Sequence, residues 1–281
     1  MHDEYSIDQL CATLAVTRSG YHAWAGRARA PGPRAQANAA LLPLIAQAHE
    51  ASRRTYGSPR VHRWLQQHGQ SCGRHRVARL MRAARLRSQT RRRFRAPSLT
   101  DSNHDLPVAP NRLRETTLPV RRDAVWIADI TYVPTDEGWL FVAGVLDRCT
   151  RRYIGWAMGD SLHTSLPLAA LAMALQQRRP PAGLVHHSDR GVQYASQAYR
   201  QKLAQAGVIP SMSRRGNCYD NAAMESFWSS LKRELVHRCQ FTTHAQARAA
   251  IFEWIEIFYN RERLHSALGF KSPVDFETNL N

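Results

Sequence analysis

Three carboxylates in this 281-residue chain stand where side-chain oxygens can do chemistry. Asp129 lies inside the apolar run AVWIADITYV, on one side of it with Val125, Ile127, Thr131 and Val133. A charge in such a strand is costly unless it is paired or holds a cation. Asp189 closes the run GLVHHSD, just before a turn at Arg190-Gly191. Glu225 belongs to the helical pattern NAAMESFWSSLKREL. There Ala222, Glu225, Ser229 and Lys232 form a polar stripe beside the apolar Ala223, Phe227, Leu231 and Leu235. If the strands bearing the two aspartates are neighbours, both project from adjacent positions, and the helix can lay Glu225 across them. Oxygen-only ligands of this kind suit two Mg²⁺ ions, with Mn²⁺ as the expected substitute. Two such ions can clamp a phosphodiester, one lowering the pKa of the attacking hydroxyl and the other stabilising the leaving oxygen. Taken singly, Asp189 also reads as a turn residue and Glu225 as part of a solvated face. With 22 acids in the chain, the interval between them carries little information. Only Asp129, in mid-strand, departs from the ordinary on its own.

Other reactive side chains support less. His186 and His187 occupy adjacent strand positions and point to opposite faces, so they cannot chelate one ion together. A packed or hydrogen-bonded role is expected for them, although His187 shares a side with Asp189 and could touch a phosphate. The five cysteines, Cys11, Cys72, Cys149, Cys218 and Cys239, form no CxxC pair, and the 13 histidines no HH…CC zinc module. That usage suits reduced thiols and a cytosolic location. Arg190, Gln193 and Tyr194 follow Asp189 and can steady its loop or the substrate. Asn217, Asp220 and Asn221 are expected to cap the helix of Glu225. Lys232, two turns beyond Glu225, reads equally as a contact to a DNA phosphate or as a solvated lysine. Arg263 and His265 could meet nucleic acid through charge alone.

The elements that must position these groups follow from hydrophobic periodicity. AVWIADITYV, WLFVAGVLD and YIGWAM are strands in a meander. HTSLPLAALAMALQQR is a helix, GLVHHSD a strand, SQAYRQKLAQAG a helix, VIPSMS a strand and NAAMESFWSSLKREL a helix. The order βββαβαβα predicts an α/β core with a mixed five-stranded sheet over residues 123–240. A last helix, THAQARAAIFEWIEIFYN, precedes an irregular tail within 241–281. Upstream, 1–36 reads as a short helical segment of two helices about a turn near Val16–Thr17. The proline-rich stretch 96–122 reads as a linker.

Residues 37–95 read as a basic helix-turn-helix domain. The chain carries a net charge of +17 and a pI near 10.6, and no acid occurs between Ala51 and Thr100. LLPLIAQAHEAS, YGSPRVHRWLQQHG (opened by Ser58) and Ser71–Leu86 are its expected helices. The third points Val77, Leu80, Met81 and Ala84 inward and Arg74, Arg76, Arg79, Arg82 and Arg85 mostly outward, and Arg91, Arg92 and Arg93 follow. Such a helix can enter a major groove or simply pack. The charge block seeks a polyanion, because each neutralised phosphate releases counterions. The longest apolar run, LPLAALAMAL, is too short to span a membrane, and MHDEYSIDQL is not an export signal.

The blocks WIADITY, HHSDRGVQY and GNCYDNAAMESFWSSLK resemble the three catalytic blocks of DDE transposases with an RNase H-like, retroviral-integrase-type core. More narrowly, they are similar to the second-reading-frame protein of the insertion sequence 3 family. YGSPRVHRWLQQHG with HRVARLMRAARL resembles that family's helix-turn-helix block, and YNRERLHSALGFKSPVDFE its tail, so the likeness covers most of the chain. The resemblance implies an enzyme that cuts DNA and transfers its strands with divalent metal, using Asp129, Asp189 and Glu225 as catalytic and metal-binding triad. It implies double-stranded DNA as partner, both element ends and target, and a circular intermediate that later integrates. A homo-oligomer assembled on DNA is also implied, with an upstream-frame companion protein or fusion. The competing expectations are a plain RNase H-like nuclease and a DNA-binding regulator with an inert core.

Overall fold

The computed structural model describes residues 5–89, 104–113, 119–214 and 221–280, without the side chains of 27 and 28. It forms two compact units, Met1–Ser88 and Gln89–Asn281.

The first unit is all helical. α1 (Ile7–Thr13) opens with a capping box in which Ser6 and Gln9 satisfy each other's backbone N–H. α2 (Arg18–Arg29) starts at Thr17, whose hydroxyl accepts from the Gly20 amide. α3 (Pro33–Ala51) begins well before the expected segment, because Pro33 sits in the first turn, where no amide donor is needed. α4 (Ser58–Gln67) is capped by Gly57, so Ser58 lies inside the first turn with Pro59 instead of capping it. α5 (Arg74–Ala83) is shorter than Ser71–Leu86. Gly73 is its N-cap, and at the other end Arg85 adopts a left-handed φ of 55°. The Leu86 amide then donates to the Met81 carbonyl and the Arg85 amide to that of Arg82, which closes the helix. Leu41, Ile45 and Ala48 of α3, Val61 and Leu65 of α4, and Val77 and Met81 of α5 form the buried interior.

Arg74, Arg79, Arg82 and Arg85 are exposed, which agrees with their expected outward placement on the third helix. Arg76 departs from that pattern: it is half-buried and its Nε donates to Asn38 Oδ1 at 2.8 Å, which spends it on packing α5 against α3. Arg91, Arg92 and Arg93 lie outside the described residues.

The second unit is built on a five-stranded sheet of order β3-β2-β1-β4-β5. β1 (Val125–Thr135), β2 (Gly138–Asp147) and β3 (Tyr153–Gly159) make the antiparallel meander. β4 (Val185–Ser188) and β5 (Ile209–Met212) add in parallel beside β1. α6 (Ser165–Arg178) connects β3 to β4, and α7 (Val192–Ala195) with α8 (Gln197–Gln205) connects β4 to β5. One sheet face, with Trp126, Ala128, Ala143 and Val145, packs on Leu171 and Ala174 of α6 and on Tyr199 and Leu203 of α8. Odd-numbered β1 residues, Asp129 among them, therefore face the other way. α9 (Ala222–Glu234) packs on β1, as does α10 (His244–Glu253).

Two stretches differ from expectation. Residues 104–113, expected to be linker, pack against the sheet's parallel side. Leu113 is buried, Leu106 and Ala109 lie against the core, His104 Nε2 meets the Arg190 carbonyl at 2.8 Å, and the Arg112 amide donates to Ser211 Oγ. An extended segment rich in proline has few amides to satisfy, so it can lie on a core without entering a sheet. The expected last helix is present as α10 continued by a π-helix over Trp254–Glu262, and the tail beyond it is not wholly irregular, since it holds α11 (Pro273–Thr278), capped by Ser272. Asn260 in the π-helix accepts from the Tyr153 amide and donates to its carbonyl, both at 3.0 Å, and so occupies the backbone where β3 begins. Glu277 of α11 pairs with the buried Arg178 of α6, which also grips Asp123 at 2.9 Å. Among the described residues no helix is long and apolar enough to cross a membrane.

Candidate active site

Parallel pairing of β1 with β4 matches Val125 to Val185, Trp126 to His186 and Ile127 to His187. Continuing that register two residues further sets Asp129 opposite Asp189. The two aspartates thus leave neighbouring strands at one level, as the pattern of the two runs anticipates.

Asp129 is held from two sides. Its Oδ1 accepts from the Ile130 amide at 2.8 Å, and its Oδ2 from the indole Nε1–H of Trp228 at 3.1 Å. Burial, then the charge of Asp189 and, less strongly, that of Glu225, raise its pKa to about 8. The two hydrogen bonds pull in the opposite direction and do not prevail. Asp189 Oδ1 accepts from the Gly191 amide at 2.9 Å. A Cβ on Gly191 would come within 3.0 Å of that oxygen, so this position suits a residue without a side chain. The turn role expected of Asp189 is therefore observed.

Antiparallel pairing sets Gly144 of β2 opposite Asp129. A side chain there would stand on the Asp129 face, and that space holds the Tyr153 hydroxyl, 1.4 Å from where a Cβ would sit. The Tyr153 ring stacks on Phe227 of α9 at 4.0 Å and meets Trp228 edge-on at 5.8 Å. Its hydroxyl has no hydrogen-bond partner among the described residues, and burial with the Asp129 charge pushes its pKa well above the usual value. The same holds for Tyr194, raised by burial first, then by Tyr199, Asp129 and Asp189. Both phenols are thus held in the protonated form, Tyr153 on the Asp129 face and Tyr194 in the cluster on the opposite face with Trp126 and Ala128.

Glu225 is exposed on the first turn of α9, three residues before Trp228 and therefore on the same side of the helix. Among the described residues no three His, Cys, Asp or Glu side chains converge into a group that could hold a metal ion. The charges of Asp189 and, less strongly, of Glu225 act on Asp129, while Glu225 itself stays exposed on α9. The oxygen donors and the surplus negative charge that raises Asp129 nevertheless fit a hard divalent cation, which would relieve that repulsion.

The histidines are packing residues: His186 Nε2 pairs with the Tyr199 hydroxyl at 3.1 Å and His187 Nδ1 with Ser211 Oγ at 2.9 Å. Arg190 donates to the Ser213 carbonyl and Gln193 to that of Leu162, so both steady the loop after Asp189. Lys232 lies with its ammonium 4.7 Å from the centroid of the Tyr132 ring, half-buried. Burial lowers its pKa while Asp129 draws it back up. Asn221 makes no side-chain cap on α9, and Asn217 and Asp220 lie outside the described residues. Arg263 is buried and grips Glu234 of α9 through two bonds of 2.7 and 2.8 Å, which makes it an anchor of that helix. His265 is also buried, edge-on to Tyr259.

Trp228, Tyr153 and Gly144 are the residues of the site that the sequence did not single out. Trp228 had one legible signal: it follows Glu225 by three, and a buried indole N–H requires an acceptor.

Comparison with known proteins agrees with this architecture. Residues 36–94 match the HTH-like domain, and 119–218 and 206–273 match two models of the integrase core domain. An insertion element IS600 31 kDa protein from Shigella sonnei is 48% identical over 267 residues, 95% of this chain and 97% of its own. The transposase InsF of insertion sequence IS3A from Escherichia coli K12 is 38% identical over 274 residues, 98% and 94% of the two chains. A chain in the cryo-EM structure of the simian T-cell lymphotropic virus intasome, complexed with a PP2A regulatory subunit, has a TM-score of 0.48 at 13% identity, covering 83% and 74%. Near-complete coverage at these identities means that the chain belongs to the insertion sequence 3 family of transposases, as its second-reading-frame type of protein.

Proposed function

We propose that this transposase cuts DNA at the ends of its element and joins the freed strands to new DNA, with Asp129, Asp189 and Glu225 as the catalytic carboxylates. The observation that carries the reading is the register of β1 with β4, which extends to set Asp129 beside Asp189. Asp129 and Asp189 would hold divalent cations, Mg²⁺ with Mn²⁺ as substitute, and Glu225 completes the set when α9's first turn draws in. When bound, a pair of such ions supplies charge stabilisation at the attacked phosphate and a lowered pKa for the attacking oxygen. The chain's own groups do the rest. The aspartates fix the position of the scissile phosphate, and the Gly191 amide keeps Asp189 in its rotamer. Water displaces a 3′ oxygen in the first step and leaves a free 3′-OH. In the second, that hydroxyl attacks another phosphodiester and displaces its leaving oxygen, so no covalent link to the protein is formed.

Residues 37–95 would bind the element ends, with Arg74, Arg79, Arg82 and Arg85 on phosphates or base edges, residues 123–240 perform the chemistry, and 241–281 buttress it. The chain is expected to act in the cytosol on double-stranded DNA, as an oligomer with both ends in hand.

The test supplies end DNA already cut, with a free 3′-OH, and scores joined product. Asp129→Asn should bind DNA and join none. Joining at the wild-type rate by that variant removes the catalytic assignment. Cleavage without any joining by the wild type points to a plain nuclease.

A further inference from the structure

Trp228 touches no reacting atom, yet it links the two halves of the site. Its indole N–H donates to Asp129 Oδ2 at 3.1 Å, and this is the bond that ties α9 to the acid of β1. Trp228 is buried, with 6% of its surface exposed, and its ring is fixed by Tyr153 at 5.8 Å and Phe227 at 4.9 Å. Those contacts leave the indole little rotational freedom. A fixed donor takes one lone pair of Oδ2 and orients the whole carboxylate, while the Ile130 amide does the same at Oδ1. Because Glu225 lies three residues earlier on the same helix, whatever sets the height of Trp228 against β1 also sets where Glu225 enters.

We infer that Trp228 is a positioning residue, which orients Asp129 for a divalent cation and sets the approach of Glu225 to the aspartate pair. The inference rests on the metal-site reading above. Partners that orient metal ligands from behind usually contribute 10- to 100-fold in metal affinity, which sets the scale of effect to expect.

The experiment uses the full chain without DNA and follows the rise in melting temperature as Mg²⁺, or Mn²⁺ in a parallel series, is added. Tryptophan emission is recorded in the same titration. In Trp228→Phe the aromatic packing is retained and the donor is lost. Its metal midpoint should move to roughly 10- to 100-fold higher concentration; emission from Trp228 is lost with the indole itself, so the midpoint decides. A residue that merely filled space would lower the melting temperature without moving the midpoint. That outcome overturns the inference, provided Asp129→Asn abolishes the metal response. If Asp129→Asn responds to metal like the wild type, or the wild type ignores both metals, the metal-site reading itself fails and takes this inference with it. Should Trp228→Phe not fold, 3-benzothienylalanine at position 228 keeps the bicyclic shape without the N–H, and its midpoint decides by the same criterion.

Discussion

The two units carry charge in opposite ways. In the helical unit, Arg74, Arg79, Arg82 and Arg85 are exposed on and just beyond α5, with no acid between Ala51 and Thr100 to pair with them. In the sheet unit the decisive charges are few and sit in or near the core: Asp129 with Asp189, Glu234 with Arg263, and Arg178 with Asp123 and Glu277. Exposed charge is redundant, because many similar groups sum to one field and each is well solvated. Buried charge is specific, since each group depends on one or two named partners and costs several kcal/mol without them. A single substitution should therefore be severe in the second unit and mild in the first.

The largest effect is expected at the aspartates. Asp129→Asn and Asp189→Asn should each lower strand joining by about a thousandfold or more, on the order of 4 kcal/mol of transition-state stabilisation, with DNA binding retained. Measuring joining and binding on one preparation checks both halves of that statement. A variant that lost binding in proportion to joining would erase the division of labour between the units.

Next comes the anchor of α9. Arg263 lies 3% exposed against Glu234 at 4%, and its Nη2 also reaches Ser230 Oγ at 3.2 Å. Removing one partner strands the other charge in the core, so Arg263→Ala should destabilise the chain by about 3–5 kcal/mol. Replacing Arg263 with Met and Glu234 with Gln together should restore much of that loss, and thermal unfolding of single and double variants measures the coupling.

How far these partnerships could be read from the chain differs by their range. The strand bearing Asp129 was legible because one acid interrupts an otherwise β-branched and apolar run. Its neighbour was legible because a short strand ends at Asp189. The helix of Glu225 was legible from period alone, but its buried face is broader than the expected stripe. Met224, Trp228 and Glu234 are buried along with Phe227 and Leu231. No local pattern announces that Trp228 meets an acid 99 residues earlier, or that Glu234 waits for an arginine 29 residues later. Such pairs are made by the fold. The same reason hid the packing of 104–113 and the π form of the last helix, within which Asn260 reaches the Tyr153 backbone. Arg76 shows the converse: its helical position predicted exposure, and a nearby Asn38 claimed it.

A smaller effect separates activity from stability at Asp129. Its pKa rises from 3.8 unfolded to about 8 folded, mainly through burial and then through Asp189. Between those values the folded chain binds more protons than the unfolded one, so stability falls as pH rises through that window. Asp129→Asn removes the titrating group and should flatten the dependence. In metal-free buffer at pH 8 that variant should melt higher than the wild type, by roughly 2–4 °C if the difference is about 1 kcal/mol. Saturating Mg²⁺ should narrow that gap by stabilising only the wild type. A variant less stable than the wild type at pH 8 would mean that Asp129 is a structural acid, held by the Ile130 amide and Trp228 for their own sake.

The smallest effect is expected from one arginine of α5. If Arg79 or Arg82 contacts a phosphate, its replacement by Ala removes close to one counterion from the balance. The slope of log affinity against log salt should become shallower by about 0.9, with affinity for every DNA sequence reduced to a similar degree. Arg76→Ala is the internal control, because that guanidinium is already engaged with Asn38. It should leave the slope where it was while loosening the first unit, since the bond between α3 and α5 is gone. Were Arg76→Ala to change the slope as much as Arg82→Ala, the distinction between exposed and engaged arginines would fail. A specific rather than uniform loss at Arg82 would instead place that side chain on a base edge, and its charge would then be as irreplaceable as those of the sheet unit.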